Sequence, residues 1–227
     1  MGQSVGDTVL APGAPNVQVF AASDTWNKPD GIRAAMVEVV GGGGGSGGVA
    51  LTGASQASAS PGAGGGGYSR KLIQAADLGA TEVVTIGAGG TGGAAGANNG
   101  VAGGTSSFGS HCSATGGSLS LGASAVTPPI LTGVGGAGGS GVGGDVNIQG
   151  SRGGFCIAFA GSVARANGGS SHLSGTEPGG STSSGVDGAA GETYGGGAHG
   201  AANAQNQVAG RPGAAGASGV VIVTTYF

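Results

Sequence analysis

Glycine recurs every third residue in several separate tracts, and this spacing constrains the fold more than any other feature of the chain. It appears at Gly87, Gly90, Gly93 and Gly96, at Gly135, Gly138, Gly141 and Gly144, and at Gly210, Gly213, Gly216 and Gly219. Shorter runs join them at Gly41, Gly44 and Gly47 and at Gly185, Gly188 and Gly191. Period three is the repeat of an extended threefold helix, which rises about 3.1 Å per residue and makes no hydrogen bonds to itself. Its amides and carbonyls must therefore be satisfied from outside. Collagen shares the period but needs long unbroken triplets rich in proline, and this chain has 8 prolines in 227 residues. The remaining solution packs short extended helices side by side so that each bonds its neighbours, and only glycine permits such close approach of backbones.

Composition leads to the same conclusion. With 59 glycines and 37 alanines, few large apolar side chains remain to offset a backbone ordering cost of roughly 1–2 kcal/mol per residue. Backbone hydrogen bonding has to supply the cohesion. Disorder is not the expectation, because charged residues make up only 7% and the net charge is −3, whereas disordered chains combine low hydrophobicity with high charge.

Strand signals, β-branched or aromatic, fall at 17–20, 34–40, 81–86, 155–159 and 220–227. Residues 71–78, KLIQAADL, read as one or two helical turns or as extended chain. The expected fold is mainly β and irregular, with a small β-sheet joined to a layered sandwich of polyglycine II helices and little or no α-helix. Residues 1–16, with Pro12 and Pro15, read as an extended leader that serves as an attachment segment, and 17–227 as the glycine-rich domain.

Chemistry is sparse. Gly87 to Gly92 matches the dinucleotide fingerprint GxGxxG after a strand. That motif needs a following helix and an acidic residue about 20 positions on, yet no Asp or Glu lies between Glu82 and Asp145. Lys28 and Lys71, the only lysines, do not follow glycine, so no phosphate loop exists. His111, His172 and His199 and the two cysteines, Cys112 and Cys156, show no metal-ligand spacing. The cysteines could form one disulfide or stay as buried thiols. The carboxylates are dispersed. The expectation is no enzyme, no metal and no cofactor; no basic cluster suits nucleic acid, and no apolar run suits membrane insertion.

Side chains diversify at 49–61, 98–115, 118–132, 165–178 and 198–209, expected to be turns at the ends of a rigid array, where recognition commonly resides. Asn98, Asn99, Phe108, His111, His172, Asn203, Gln205 and Asn206 are the candidate contact residues.

The ordered set TWNKPDG, VEVVGGGGGSGG, GAGGGGYSRKLI, VVTIGAGGTGG, GGTSSFG, GGDVNIQGSRGG, YGGGAHG and GRPGAAGASGVVIVTTYF resembles the glycine-rich domain of bacteriophage tail-fibre and receptor-binding proteins. It is similar to the adhesins that cap T-even-type long tail fibres. The resemblance covers about residues 17–227. It implies a virion structural protein on the particle exterior, with other virion proteins, a host surface protein or glycan, and further copies of itself as partners. Those adhesins carry a fibre-attachment domain before the glycine-rich part; here about 16 residues precede it, so attachment falls to the leader, the sheet end or a homo-oligomeric contact. The alternative is a capsid decoration or head-fibre protein without a specific receptor.

Overall fold

A computed structural model describes residues 13–159, 161–177 and 179–227. Most of the leader, residues 1–12, lies outside that range. In chain order the strands are β1 (Asn16–Phe20), β2 (Asp24–Asn27), β3 (Ala34–Val40), β4 (Ser58–Ala59), β5 (Tyr68–Gln74), β6 (Thr81–Thr85), β7 (Ser106–Phe108), β8 (Cys112–Ala114), β9 (Ile130–Thr132), β10 (Gly141–Val142), β11 (Val146–Ile148), β12 (Cys156–Phe159), β13 (Ser162–Ala164), β14 (Ser181–Thr182), β15 (Gly185–Val186), β16 (Ala202–Asn203) and β17 (Val220–Tyr226). Within KLIQAADL the extended reading holds to Gln74, and a single 3₁₀ turn, Ala75–Asp77, follows.

Among the described residues the strands form four antiparallel sheets, where the sequence suggested one. Sheet β1-β17-β3-β5-β11 faces sheet β10-β8-β7-β6-β2. Between them lies the larger core, with Trp26, Val37, Val39, Ile73, Val84, Phe108, Val221 and Val223 all buried. We call this the proximal end. Sheets β14-β13-β12-β9 and β15-β16-β4 enclose a second, alanine-rich core of Ala57, Ala59, Cys156, Ala158, Val163, Ala166, Ala202 and Ala204. This is the distal end. Of the two smaller sheets the sequence showed only β12, within the 155–159 signal; their other strands are two or three residues long, too short to carry an alternating pattern.

Between the two ends runs the glycine array, and its hydrogen bonds show the threefold helix directly. In residues 41–49 the amides of Gly41 and Gly44 donate to Gly67 and Gly64; those of Gly42, Gly45 and Gly48 to Gly104, Val101 and Asn98; those of Gly43, Ser46 and Val49 to Ala217, Ala214 and Arg211. Its carbonyls repeat the pattern: Gly42, Gly45 and Gly48 accept from Gly117, Ser120 and Ala123, Gly43, Ser46 and Val49 from Gly90, Gly93 and Gly96, and Gly44 from Ala198. Three donor directions and three acceptor directions give this tract six neighbours. Residues 60–67 are surrounded in the same way, bonding to tracts near 118, 136, 153, 169 and 198 as well as to 41–44.

At one level of this array two serines replace a missing register step. The series Gly41 to Gly67 and Gly44 to Gly64 would continue as Gly47 to Pro61. Instead Ser120 Oγ accepts from the Gly47 amide at 3.0 Å and donates to the Pro61 carbonyl at 2.6 Å. Ser60 Oγ likewise donates to the Gly47 carbonyl at 2.7 Å and accepts from the Ala201 amide at 2.8 Å. Both hydroxyls are buried.

The glycines are required by proximity more than by torsion. A Cβ built on Gly87, Gly90, Gly93, Gly135, Gly138, Gly213, Gly216 or Gly219 would approach a neighbouring tract's carbonyl closer than 3.0 Å. Gly96 is different: it turns the chain at φ +100, and nothing in another tract crowds it. Gly141 lies in β10 and Gly144 beside β5, so these two belong to the proximal end. Gly210 packs against Val49 and Gly96 at the start of the last tract.

Candidate functional site

Because the chain reverses at both ends of a rigid array, its irregular surface is concentrated at those ends. The candidate contact residues are split between them and do not form one cluster. Phe108 is fully buried in the proximal core, edge-on to Trp26 at a centroid distance of 5.5 Å, so it is a packing residue and not a contact. His111 lies in the proximal β7–β8 turn, where its Nε2 sits 3.1 Å from Glu82 Oε1. His172 packs against Tyr68, also proximally, with ring centroids 4.3 Å apart and planes tilted by 42°.

Asn98, Asn99, Asn203, Gln205 and Asn206 fall at the distal end, and three of them are occupied by the scaffold. Asn98 Nδ2 donates to the carbonyls of Ala94 and Ala95, closing its own turn, and Asn99 Oδ1 accepts from the Gly122 amide. Asn203 is fully buried, its Nδ2 donating to the carbonyls of Ala50 and Ala209; it is a brace under the loops and not a contact. Its position between alanines in the sequence gave no hint of burial. Gln205 and Asn206 remain exposed.

The distal loops are tied to each other by short bonds. The Thr52 amide donates to the Gln207 carbonyl at 2.9 Å, and Thr52 Oγ1 donates to the Ala204 carbonyl at 2.5 Å and accepts from the Gln207 amide at 3.0 Å. The Asn206 amide, on a residue with φ 61, donates to Gly53. Loops 50–57 and 204–210 thus form one unit, with Leu51 exposed on it and Val208 95% exposed at its edge. Much of 98–115, 118–132 and 165–178 proves to be tract or strand and not turn.

Beside this unit is a cavity of about 440 Å³ lined by Ala59, Pro61, Leu121, Ala123, Val126 and Val134. Leu121, Val126 and Val134 are also largely exposed. The distal surface is therefore aliphatic with a few amides, whereas the sequence pointed to amides and aromatics. The available signal was a lone Leu or Val flanked by small residues, as in ALTG, LSLGAS, TGVGG and NQVAG. Such residues cannot be buried by a strand pattern they lack.

Electrostatics at this end are slight. Arg211 Nη1 lies 3.5 Å from Asp187 Oδ1, partly exposed. In the array, buried His199 accepts the Gly168 amide at Nδ1, and burial, reinforced by nearby Arg165, holds its pKa below the usual histidine value. Cys112 is buried in the proximal core and Cys156 in the distal one, and no disulfide joins them. Burial pushes the Cys112 thiol up to about 11. Among the described residues no three His, Cys, Asp or Glu side chains gather to hold a metal, and no helix is long and apolar enough to cross a membrane. The GxGxxG match, residues 87–92, is part of the array: Gly87 and Gly90 donate to Ser106 Oγ and the Gly43 carbonyl.

A family model for a glycine-rich domain matches residues 18–226. No curated protein matches the chain.

Proposed function

The chain belongs to this glycine-rich domain family, and on that premise we propose that it is a non-enzymatic bacteriophage structural protein whose distal loops bind a receptor on the host surface. The observation that carries the reading is the construction of the distal end. Loops 50–57 and 204–210 are cross-tied at Thr52, Gly53, Asn206 and Gln207 and stand on an array whose backbone groups are bonded in every direction. Loops held this way lose little conformational freedom on binding, which reduces the cost of association. Exposed Leu51 and Val208, with Gln205 and Asn206 beside them, supply the mixture of apolar and amide groups that recognises protein loops or glycans. The resemblance to tail-fibre adhesins supplies the phage context, and multiple copies on a particle would raise the effective affinity.

The test is competition. Purified protein should bind susceptible cells and slow adsorption of the phage that carries it. Absence of both effects would refute the reading. Substituting Val208→Asp, at a site too exposed to affect folding, should weaken cell binding several-fold.

A further inference from the structure

The distal cavity of about 440 Å³ is open because Ala59, Gly122, Ala123, Ser124 and Gly133 line it with little or no side chain. Neither glycine can be enlarged to fill it: a Cβ on Gly122 would meet the backbone of Ala97 and Asn98 closer than 3.0 Å, and Gly133 has φ +93. The walls are fixed by backbone bonds. Ala57 and Val126 exchange both N–H···O bonds at 2.9 Å, the Ala123 amide donates to Gly48 at 3.0 Å while its carbonyl accepts from Ala50 at 2.9 Å, and Ser120 Oγ donates to the Pro61 carbonyl. Cavities bounded by side chains relax partly inward; here collapse would break these bonds. Ala59, Pro61 and Cys156 are buried and lie deep in the cavity, and Leu121, Val126 and Val134 are exposed at its mouth.

The lining decides what fits. It holds no charged side chain and no side-chain amide, and apart from the Ser124 hydroxyl and the Cys156 thiol its side chains are hydrocarbon. A sugar placed there would surrender the water on several hydroxyls with few groups to replace it, and polar groups buried without partners oppose binding. An apolar group gains on every face it buries. The volume falls in the range of roughly 300–1,000 Å³ that small-ligand sites occupy and exceeds the roughly 150 Å³ that accepts benzene in a dry apolar cavity. We propose that this cavity is a socket for one bulky apolar side chain, aromatic or branched aliphatic, carried on an exposed loop of a protein receptor. The inference rests on the receptor-binding reading of the distal end and narrows the ligand from protein or glycan to protein. Leu121, Val126 and Val134 form the rim that shields the inserted group from water, as surrounding residues do for the anchors of protein interfaces. Because the cavity is already open and its walls are bonded, insertion orders little in this chain.

Toluene tests the socket without a receptor. At millimolar concentration it should shift the methyl resonances of Leu121, Val126 and Val134 and raise the Tm, whereas methyl α-glucoside should do neither. Ala123→Phe, which grows into the cavity from its wall, and Ser124→Phe, from an exposed position, should each abolish the toluene shifts while the fluorescence of Trp26, in the proximal core, reports a folded chain. Both variants should bind susceptible cells roughly tenfold or more weakly than wild type. Protease treatment of the cells should remove wild-type binding, and mild periodate oxidation of their glycans should not. Absence of toluene shifts would overturn the socket whether or not the chain binds cells. Wild-type binding that both filled variants retain, or that periodate abolishes and protease spares, would overturn the partner assigned to the socket while leaving receptor binding in place. Toluene binding by a chain that binds no cell would overturn the receptor-binding reading and, with it, the partner assigned here.

Discussion

Gly44→Ala tests whether close backbone approach, and not chain flexibility, is what glycine supplies here. Gly44 lies in an interior tract, donating to Gly64 at 2.9 Å and accepting from Ala198 at 3.0 Å. An added methyl would meet the backbone of Ser118 closer than 3.0 Å, and a bonded tract cannot yield as a side-chain end can. Overpacking of a tight interior costs roughly 1–3 kcal/mol. Parting the tracts also weakens two buried hydrogen bonds worth about 0.5–1.5 kcal/mol each. Against this stands a gain of about 0.4–1 kcal/mol from stiffening the unfolded chain. The net expectation is a loss of about 1–6 kcal/mol, or roughly 2–22 °C in Tm for a chain of this size. Gly175→Ala is the matched control, since its added methyl meets nothing within 4 Å and its φ is not positive; it should be neutral or slightly stabilising. Urea unfolding followed by the fluorescence of Trp26, the chain's single tryptophan and fully buried, reads both. Equal stability of the two variants would refute the packing argument.

Three further outcomes follow from the same geometry. Ser120→Ala should cost about 1–3 kcal/mol by leaving the Gly47 amide and Pro61 carbonyl unpaired, and Ser60→Ala should cost a similar amount, both measured by urea midpoint; a neutral result for either would mean that the relay contributes nothing. His199, whose folded pKa is depressed, binds a proton more readily when unfolded, so stability should be full above about pH 6.5 and fall as pH drops below it. His199→Gln should flatten that slope in a pH series of unfolding midpoints, and an unchanged slope would assign the dependence elsewhere.

Two of the three seven-residue strands, β3 and β17, were legible because the β-branched runs AAMVEVV and VVIVTTY need only local chemistry to be recognised, whereas β5, YSRKLIQ, lacks such a run and stayed open between helix and extended chain. The threefold tracts were legible from spacing alone. What the sequence could not carry was partnership: nothing in GGGGGSGGV specifies that Gly41 bonds Gly67 while Gly43 bonds Ala217. The distal core was invisible for a related reason, since alanines become a core only once two short sheets close over them. Phe108 and Asn203 looked like contact residues because their glycine and alanine neighbours carry no burial signal, and the exposed aliphatics at Leu51 and Val208 were overlooked because attention went to amides and rings.

The rotation of hydrogen-bond directions along residues 41–49 imposes a rule on how such a chain can change length. Deleting one residue within that tract would turn every later amide by a third of a revolution, pointing donors meant for residues 211–217 at residues 98–104, and inserting one would point them at residues 64–67. A gain or loss of three restores the phase. The interior of the molecule therefore has a reading frame of its own, in which length varies by triplets, while the distal turns can lengthen by any number of residues.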